Sequence, residues 1–246
     1  MKIGVYFTPL GVADADIGGK PVVVVDILRA TTTIVAALAN GARAVVPAGA
    51  TDEAIRIAQN LKDDVLLAGE RKGEKISGFA LGNSPREMTR EVVGGKTLVM
   101  STTNGTVAIQ AAEDGNPVLI GAATNFTAAV ARARAAFDAA GEVVILCAGR
   151  ERGFALEDAY AAGRFAHALI PEGMRRRVQL NDAAVAALEL VKRYGEKWKR
   201  AISASAAARE LGAKGFKEDV LAATACDCYD IVPVYANRQV TLGAKP

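Results

Sequence analysis

The sequence predicts an α/β protein of three layers, α/β/α, built around a mostly parallel sheet, and three observations predict it. Short Val- and Ala-rich runs alternate with helix-length stretches along the whole chain. The run Val22–Asp26 is apolar without alternation until its closing carboxylate, as expected of a strand buried on both faces. Hydrophobic residues fill 51% of 246 positions but aromatics only 5%, which suits small-residue helices packed on Val-rich strands.

The segment MKIGVYFTPL opens the chain as a strand. Further strands are expected at 22–26, 44–48, 65–68, 97–100, 117–121 and 143–147. Between and after them, helices are expected at 31–40, 52–61, 85–93, 106–113, 127–139, 157–169, 182–194 and 198–210. Ser84 precedes Pro85 as a natural N-cap with proline in the first helical position. No Pro-, Ser- or charge-rich linker interrupts the pattern, so residues 1–246 read as a single domain with ample chain for a core. The stretches 33–51 and 106–124 share a layout at an offset of 73 residues. Read as an internal duplication, this makes the loops RATTT (29–33) and TTNGT (102–106) equivalent, both at strand C-termini, where open parallel sheets bind ligands.

Composition narrows the function. A net charge of +3, from 30 basic and 27 acidic residues, is too balanced for a nucleic-acid partner, and Arg175–Arg177 beside Pro171-Glu172-Gly173 reads as a solvated turn. Cys226 and Cys228, one residue apart, match neither the zinc nor the redox spacing. With no signal peptide and no apolar run of membrane-spanning length, a cytoplasmic protein with no membrane partner is expected.

The residues able to do chemistry follow the strands. ILRATTT after Asp26 supplies Arg29, Thr31, Thr32 and Thr33; LLAGERKG supplies Glu70 and Arg71; GNSP supplies Asn83 and Ser84. TTNGT supplies Thr102, Thr103, Asn104, Gly105 and Thr106, and LCAGRERGFALEDA supplies Arg150, Arg152, Glu157 and Asp158. Asp182 stands before a helix as a cap or an acid. Serines and threonines before helices are commonly caps, yet several helix N-termini converging on one edge form an anion site. Interleaved arginines add forks suited to phosphate, sulfonate or carboxylate. Acids on the same rim call for a cation between them and the anion, and Mg²⁺ takes oxygen ligands.

Elimination leaves metal-assisted attack by water. The single histidine, His167, sits in an Ala-rich stretch and reads as packing, so zinc clusters and histidine-based nucleophilic mechanisms lack support. Cys147, at a strand end without the arginine spacing of a cysteine phosphatase, reads as a buried thiol. DILR lacks the second aspartate of an aspartyl-phosphate motif, and no GxxxxGK[ST] or GxGxxG occurs. On this chemistry Asp26, Glu157 and Asp158 are the candidate Mg²⁺ ligands, Asp26, with Glu70 or Asp182 as the free acid–base group, is catalytic, and the arginines and TTNGT hold the anion.

In this order and spacing, DILRATTTIVAALANGA, GERKGEKISGFALGNSP, TTNGTVAI, CAGRERGFALEDAYAAG and CDCYDIVPVY look like the 2-phosphosulfolactate phosphatases of coenzyme M biosynthesis, the ComB-like family. The resemblance spans residues 3 to 240. It implies a Mg²⁺-dependent acid phosphatase, a homodimer of three-layer subunits, that hydrolyses (2R)-2-phospho-3-sulfolactate, a small anionic substrate, to 3-sulfolactate and phosphate. The motif positions it marks are Asp26, Arg29, Thr31–Thr33, Glu70, Arg71, Gly82, Asn83, Ser84, Thr102–Thr106, Glu157 and Asp158. Two other readings share these residues: a lyase or another phosphatase acting on a different phosphorylated hydroxy acid, and a non-catalytic binder of anionic metabolites.

Overall fold

Valines 22 to 25 explain the sheet's position in the molecule. Val23 and Val25 enter one apolar core and Val22 and Val24 the other, so an unbroken valine run is what a strand covered on both faces requires. The computed structural model describes residues 1–61, 64–173 and 177–243; Arg175 and Arg176 of the basic run lie outside them. Its strands are β1 (Lys2–Tyr6), β2 (Val22–Val25), β3 (Ala44–Ala48), β4 (Val65–Arg71), β5 (Glu74–Lys75), β6 (Thr97–Ser101), β7 (Val118–Gly121), β8 (Glu142–Cys147), β9 (Gln179–Leu180), β10 (Val234–Ala236) and β11 (Gln239–Thr241). Its helices are α1 (Asp14–Ile17), α2 (Ala30–Ala39), α3 (Thr51–Asn60), α4 (Arg90–Val93), α5 (Gly105–Ala111), α6 (Phe126–Ala140), α7 (Leu156–Leu169), α8 (Asp182–Tyr194), α9 (Trp198–Ser203), α10 (Ala206–Ala213) and α11 (Lys217–Ala222).

Among the described residues the strands form one sheet in the order β5-β4-β6-β3-β11-β10-β7-β2-β8-β1-β9. Helices cover both faces, giving the three-layer α/β/α fold. One core, with Phe126, Phe137, Tyr160 and Phe165, lies under α6, α7 and α8. The other, with Ile34, Leu38, Leu98 and Ile109, lies under α2 and α5. α2 is buried from Ala30 to Leu38, so its threonines are interior residues.

The sheet corrects one expectation. It contains two parallel blocks, β4-β6-β3 and β7-β2-β8-β1, joined by the β10–β11 hairpin, which pairs antiparallel with β7 and with β3. The blocks therefore run in opposite directions, and the loops after β2 and β6 do not share one parallel edge. They meet nonetheless: a Cβ on Gly105 would lie 2.3 Å from the Ala30 Cβ and 2.5 Å from Asp26 Oδ2.

The repeated layout is present as β2-α2-β3 and β6-α5-β7, each crossing from one block to the other. The helix expected at 198–210 is broken into α9 and α10, because Ser205 caps a new start by accepting from the Ala208 N–H at 3.1 Å. The 85–93 stretch is a 3-10 turn, Pro85–Glu87, followed by the short α4. Ser84 is its cap, accepting from the Arg86 N–H, and Pro85 is its first residue. No helix among the described residues is long and apolar enough to cross a membrane.

Candidate active site

A cleft of about 260 Å³ opens where the loops after β2, β4, β6 and β8 meet α10. Its acidic wall is Asp26, Glu70, Glu157 and Asp158; its basic residues are Arg29, Lys72, Arg150 and Lys214; Asn83, Thr103 and Asn104 complete the polar lining.

Asp26 ends β2 and is almost fully buried at 7% exposure. Its Oδ1 accepts the Ala30 N–H of α2 at 3.2 Å, whereas Oδ2 takes no hydrogen bond among the described residues. Burial pushes its carboxyl up to about 7, with Glu70 and Glu157 adding to the rise against the Ala30 amide and Arg29. Glu157 and Asp158 open α7. Burial raises both, and for Asp158 the charges of Asp26 and Glu157 raise it further. Both Asp158 oxygens also serve the backbone, accepting from Ile27 N at 2.9 Å and Gly149 N at 3.1 Å. Asp158 thus ties the β8 loop to the β2 loop. Gly149 is required there: its φ is +67° and a Cβ would lie 2.4 Å from the Gly153 carbonyl oxygen.

Glu70 is not the free carboxylate expected of a base. Its Oε1 accepts the Thr103 N–H at 2.7 Å, and its Oε2 accepts the Gly73 N–H at 2.6 Å and the Thr103 hydroxyl at 3.2 Å. It clasps the β4–β5 turn to the loop after β6. Asp182 is exposed at the start of α8 and does not line the cleft. The cap there is Asn181, which accepts from Ala184 N at 3.0 Å and also bonds both backbone groups of Val5.

Thr31, Thr32, Thr33, Thr102 and Thr106 are buried and spend their hydroxyls on nearby backbone, and neither α2 nor α5 is capped by a side chain at its N-cap residue. Thr31 and Thr32 donate to the carbonyls of Asp26 and Ile27, Thr33 to that of Asn83, and Thr102 and Thr106 bond one another and each other's backbone. With Thr103 N held by Glu70, the loop leaves Asn104 as its polar side chain on the cleft. Asn83 differs from these. It is 4% exposed, it lines the cleft, and its side-chain oxygen is buried without a partner. Ser84 is turned away from the cleft lining, donating to Asp219 Oδ1 at 2.7 Å.

The three arginines separate by what already holds them. Arg71 donates to the Glu70 carbonyl and to Ser101 Oγ and lies outside the cleft lining. Arg29 is paired with Asp219 Oδ2 at 2.6 Å, each side chain 3% exposed. It also donates to the Gly73 carbonyl at 2.7 Å and stacks over Phe216 at 4.4 Å. Removing one partner of such a buried pair typically costs about 3–5 kcal/mol, so Arg29 is a fixed strut. Arg150 pairs with Glu210 where the two side chains are 33% and 40% exposed. A pair this open contributes about 0–1 kcal/mol after screening and is readily exchanged.

Asp219, on α11, was missed by sequence reasoning. The helices expected from the sequence end at 210, whereas α11 follows, with the acids Glu218 and Asp219 in its first turn. Lys72 and Lys214, which no motif marks, also line the cleft. His167 is exposed on α7 and so is not packing, whereas Cys147 is fully buried as expected, its thiol pushed up by burial. Cys226 and Cys228 are exposed.

Loops from both parallel blocks, carrying the resemblance motifs, therefore converge on one acid-and-base cleft. The family model described as 2-phosphosulpholactate phosphatase matches residues 6–238. This chain belongs to that family. Relatives of the family carry the name probable 2-phosphosulfolactate phosphatase. One from Clostridium acetobutylicum is 34% identical, the match covering 98% of this chain and all of the relative. One from Symbiobacterium thermophilum is 38% identical over 92% of this chain and 96% of the relative. One from Caldanaerobacter subterraneus is 36% identical over 96% of each. A phosphatase of this family is a phosphoric monoester hydrolase.

The donor set bears on a cation. Among the described residues no three His, Cys, Asp or Glu converge as a ready metal cage. Mg²⁺ does not need one, because it keeps several waters and takes one or two carboxylates plus substrate oxygens. Burial raises Asp26, Glu157 and Asp158, the charge of Glu157 raises both aspartates, and their donors are all hard oxygens, so the residues fit such an ion.

Proposed function

We propose that this protein is a Mg²⁺-dependent phosphatase that hydrolyses 2-phospho-3-sulfolactate to 3-sulfolactate and phosphate. The observation that carries the reading is the set of buried carboxylates, each raised by burial, that shares a cleft of about 260 Å³ with basic side chains. Family membership and the names of the relatives support the same substrate. Glu157 and Asp158 would hold the ion, Asp158 through the lone pairs its two backbone bonds leave free. When bound, Mg²⁺ neutralises the phosphoryl oxygens and makes water more acidic. Asp26 Oδ2 takes the proton from the attacking water, since it has no competing hydrogen bond and its carboxyl titrates at about 7, close to a working pH. The Asn83 and Asn104 amides orient the phosphoryl group, and charge stabilisation across the cleft supplies most of the rate gain.

A cytoplasmic homodimer acting in coenzyme M biosynthesis belongs to the same proposal, and sedimentation equilibrium checks the dimer. The reaction is tested by phosphate release from phosphosulfolactate, phospholactate and p-nitrophenyl phosphate, with Mg²⁺ and with chelator. A Mg²⁺-dependent preference for phosphosulfolactate is expected. Equal hydrolysis of all three would remove the substrate assignment, and no phosphate release from any would remove the phosphatase.

A further inference from the structure

The substrate proposed above has a second anion that is not transferred, and the cleft has one place able to receive it. Of the two arginines that line the cleft, Arg29 is locked to Asp219 in the interior, whereas Arg150 is held only by the half-open pair with Glu210. Glu210 is shared. Its other oxygen accepts from Lys214 Nζ at 3.1 Å, and Lys214 also donates to the Lys72 carbonyl. Lys72 is exposed on the cleft rim, and its ammonium makes no ion pair among the described residues. Two cations, Arg150 and Lys214, thus hold one carboxylate that reaches in from α10, and Lys72, joined to Lys214 through its carbonyl, brings a third, unpaired ammonium to the same cleft, whose lining also includes Glu151.

We propose that Arg150, Lys214 and Lys72 are the seat for the substrate's distal sulfonate or carboxylate, and that Glu210 is an internal anion that occupies this seat until substrate displaces it. The proposal rests on the phosphatase reading for its ligand. Its geometry stands apart from the chemistry, because none of the four residues belongs to the carboxylate set of the acidic wall. A carboxylate on a helix satisfies the same fork and ammonium groups as a sulfonate, so the exchange conserves the charge-assisted hydrogen bonds and returns Glu210 to solvent. The seat also accounts for a cleft that is cationic on one side although the phosphoryl group and its cation belong on the other.

Two measurements test it. Calorimetric titration with 3-sulfolactate and, separately, with inorganic phosphate compares the protein with Glu210→Gln and Lys214→Met, each checked for native circular dichroism. Glu210→Gln is expected to tighten 3-sulfolactate three- to tenfold more than it tightens phosphate. Lys214→Met is expected to weaken 3-sulfolactate at least tenfold more than phosphate. In turnover, Lys214→Met should lower the ratio of kcat/KM for phosphosulfolactate over p-nitrophenyl phosphate by tenfold or more, chiefly through KM. If Glu210→Gln weakens 3-sulfolactate, Glu210 is a brace and the displacement idea fails. If Lys214→Met moves both ligands alike, the lysine contributes only a general field and the seat fails. If 3-sulfolactate binding responds as expected but no phosphate is ever released, the seat stands and the phosphatase reading falls.

Discussion

Asp219→Asn should destabilise the protein far more than the same change at a surface aspartate would, although Asn keeps the shape, because it replaces one of two accepting oxygens with a donor. Asp219 is 2% exposed, with one oxygen 2.6 Å from Arg29 and the other 2.7 Å from Ser84 Oγ. The substitution removes one charge and leaves the Arg29 guanidinium buried with only the Gly73 carbonyl and the Phe216 ring beside it. An uncompensated buried partner costs about 3–5 kcal/mol. For a chain of this size each kcal/mol moves the unfolding midpoint by roughly 2–4 °C, so Tm should fall by about 6–20 °C. Urea unfolding of wild type, Asp219→Leu, Arg29→Met and the Arg29→Met/Asp219→Leu pair gives the cycle, with Asp219→Asn measured beside it. The double variant should recover much of the loss, because an apolar pair leaves no stranded charge. A stability for Asp219→Asn within about 0.5 kcal/mol of wild type, or strictly additive losses in the double variant, would refute the reasoning.

Two other consequences follow from the same contacts. In chelator, stability should fall as pH rises from about 4 to 7. Native Asp26 keeps its proton up to about 7 while the unfolded carboxyl loses it near 3.9, so the native state binds more protons in that window. The contribution is complete below about 4 and absent above about 7, worth up to about 4 kcal/mol at roughly 1.4 kcal/mol per pH unit. Asp26→Asn should reduce the slope without abolishing it, since Glu157 and Asp158 are raised as well, and a wild-type Tm that rises over this range would contradict the burial account. Gly105→Ala should cost about 1–3 kcal/mol and depress kcat, since the new Cβ would press on Ala30 and Asp26 Oδ2, where the two crossover helices begin; unchanged stability and rate would show that the helices can part there.

Much of this architecture was legible in the sequence, for a physical reason. Strands buried on both faces need unbroken apolar runs, so Val22–Val25, Ala44–Ala48 and Glu142–Cys147 stand where the runs stand. Ser84 and Pro85 announce their turn by local chemistry. The β10–β11 hairpin was not legible, because three-residue strands carry no period, and with it went the opposed direction of the two blocks. The cleft residues were legible as a set but not in their roles. Thr31 and Thr32 bond the carbonyls of the loop after β2, Thr102 and Thr106 bond each other's backbone, Glu70 clasps and Arg29 braces, because each finds a partner whose position only the fold decides. Asp182 looked like Asn181's neighbour and equal, yet only Asn181 reaches the backbone of β1. Lys214 and Lys72, unmarked in sequence, become notable once the fold brings the first to Glu210 and the second, through its carbonyl, to Lys214.

The measurement that tests the central claim most directly is the rate of inorganic phosphate release from 2-phospho-3-sulfolactate in Mg²⁺, by wild type and by Asp26→Asn of verified native fold. The account predicts steady release by the wild type, stoichiometric with substrate loss, and a fall in kcat of roughly 10²–10⁴-fold in the variant. An Asp26→Asn enzyme that turns over at nearly the wild-type rate would contradict it.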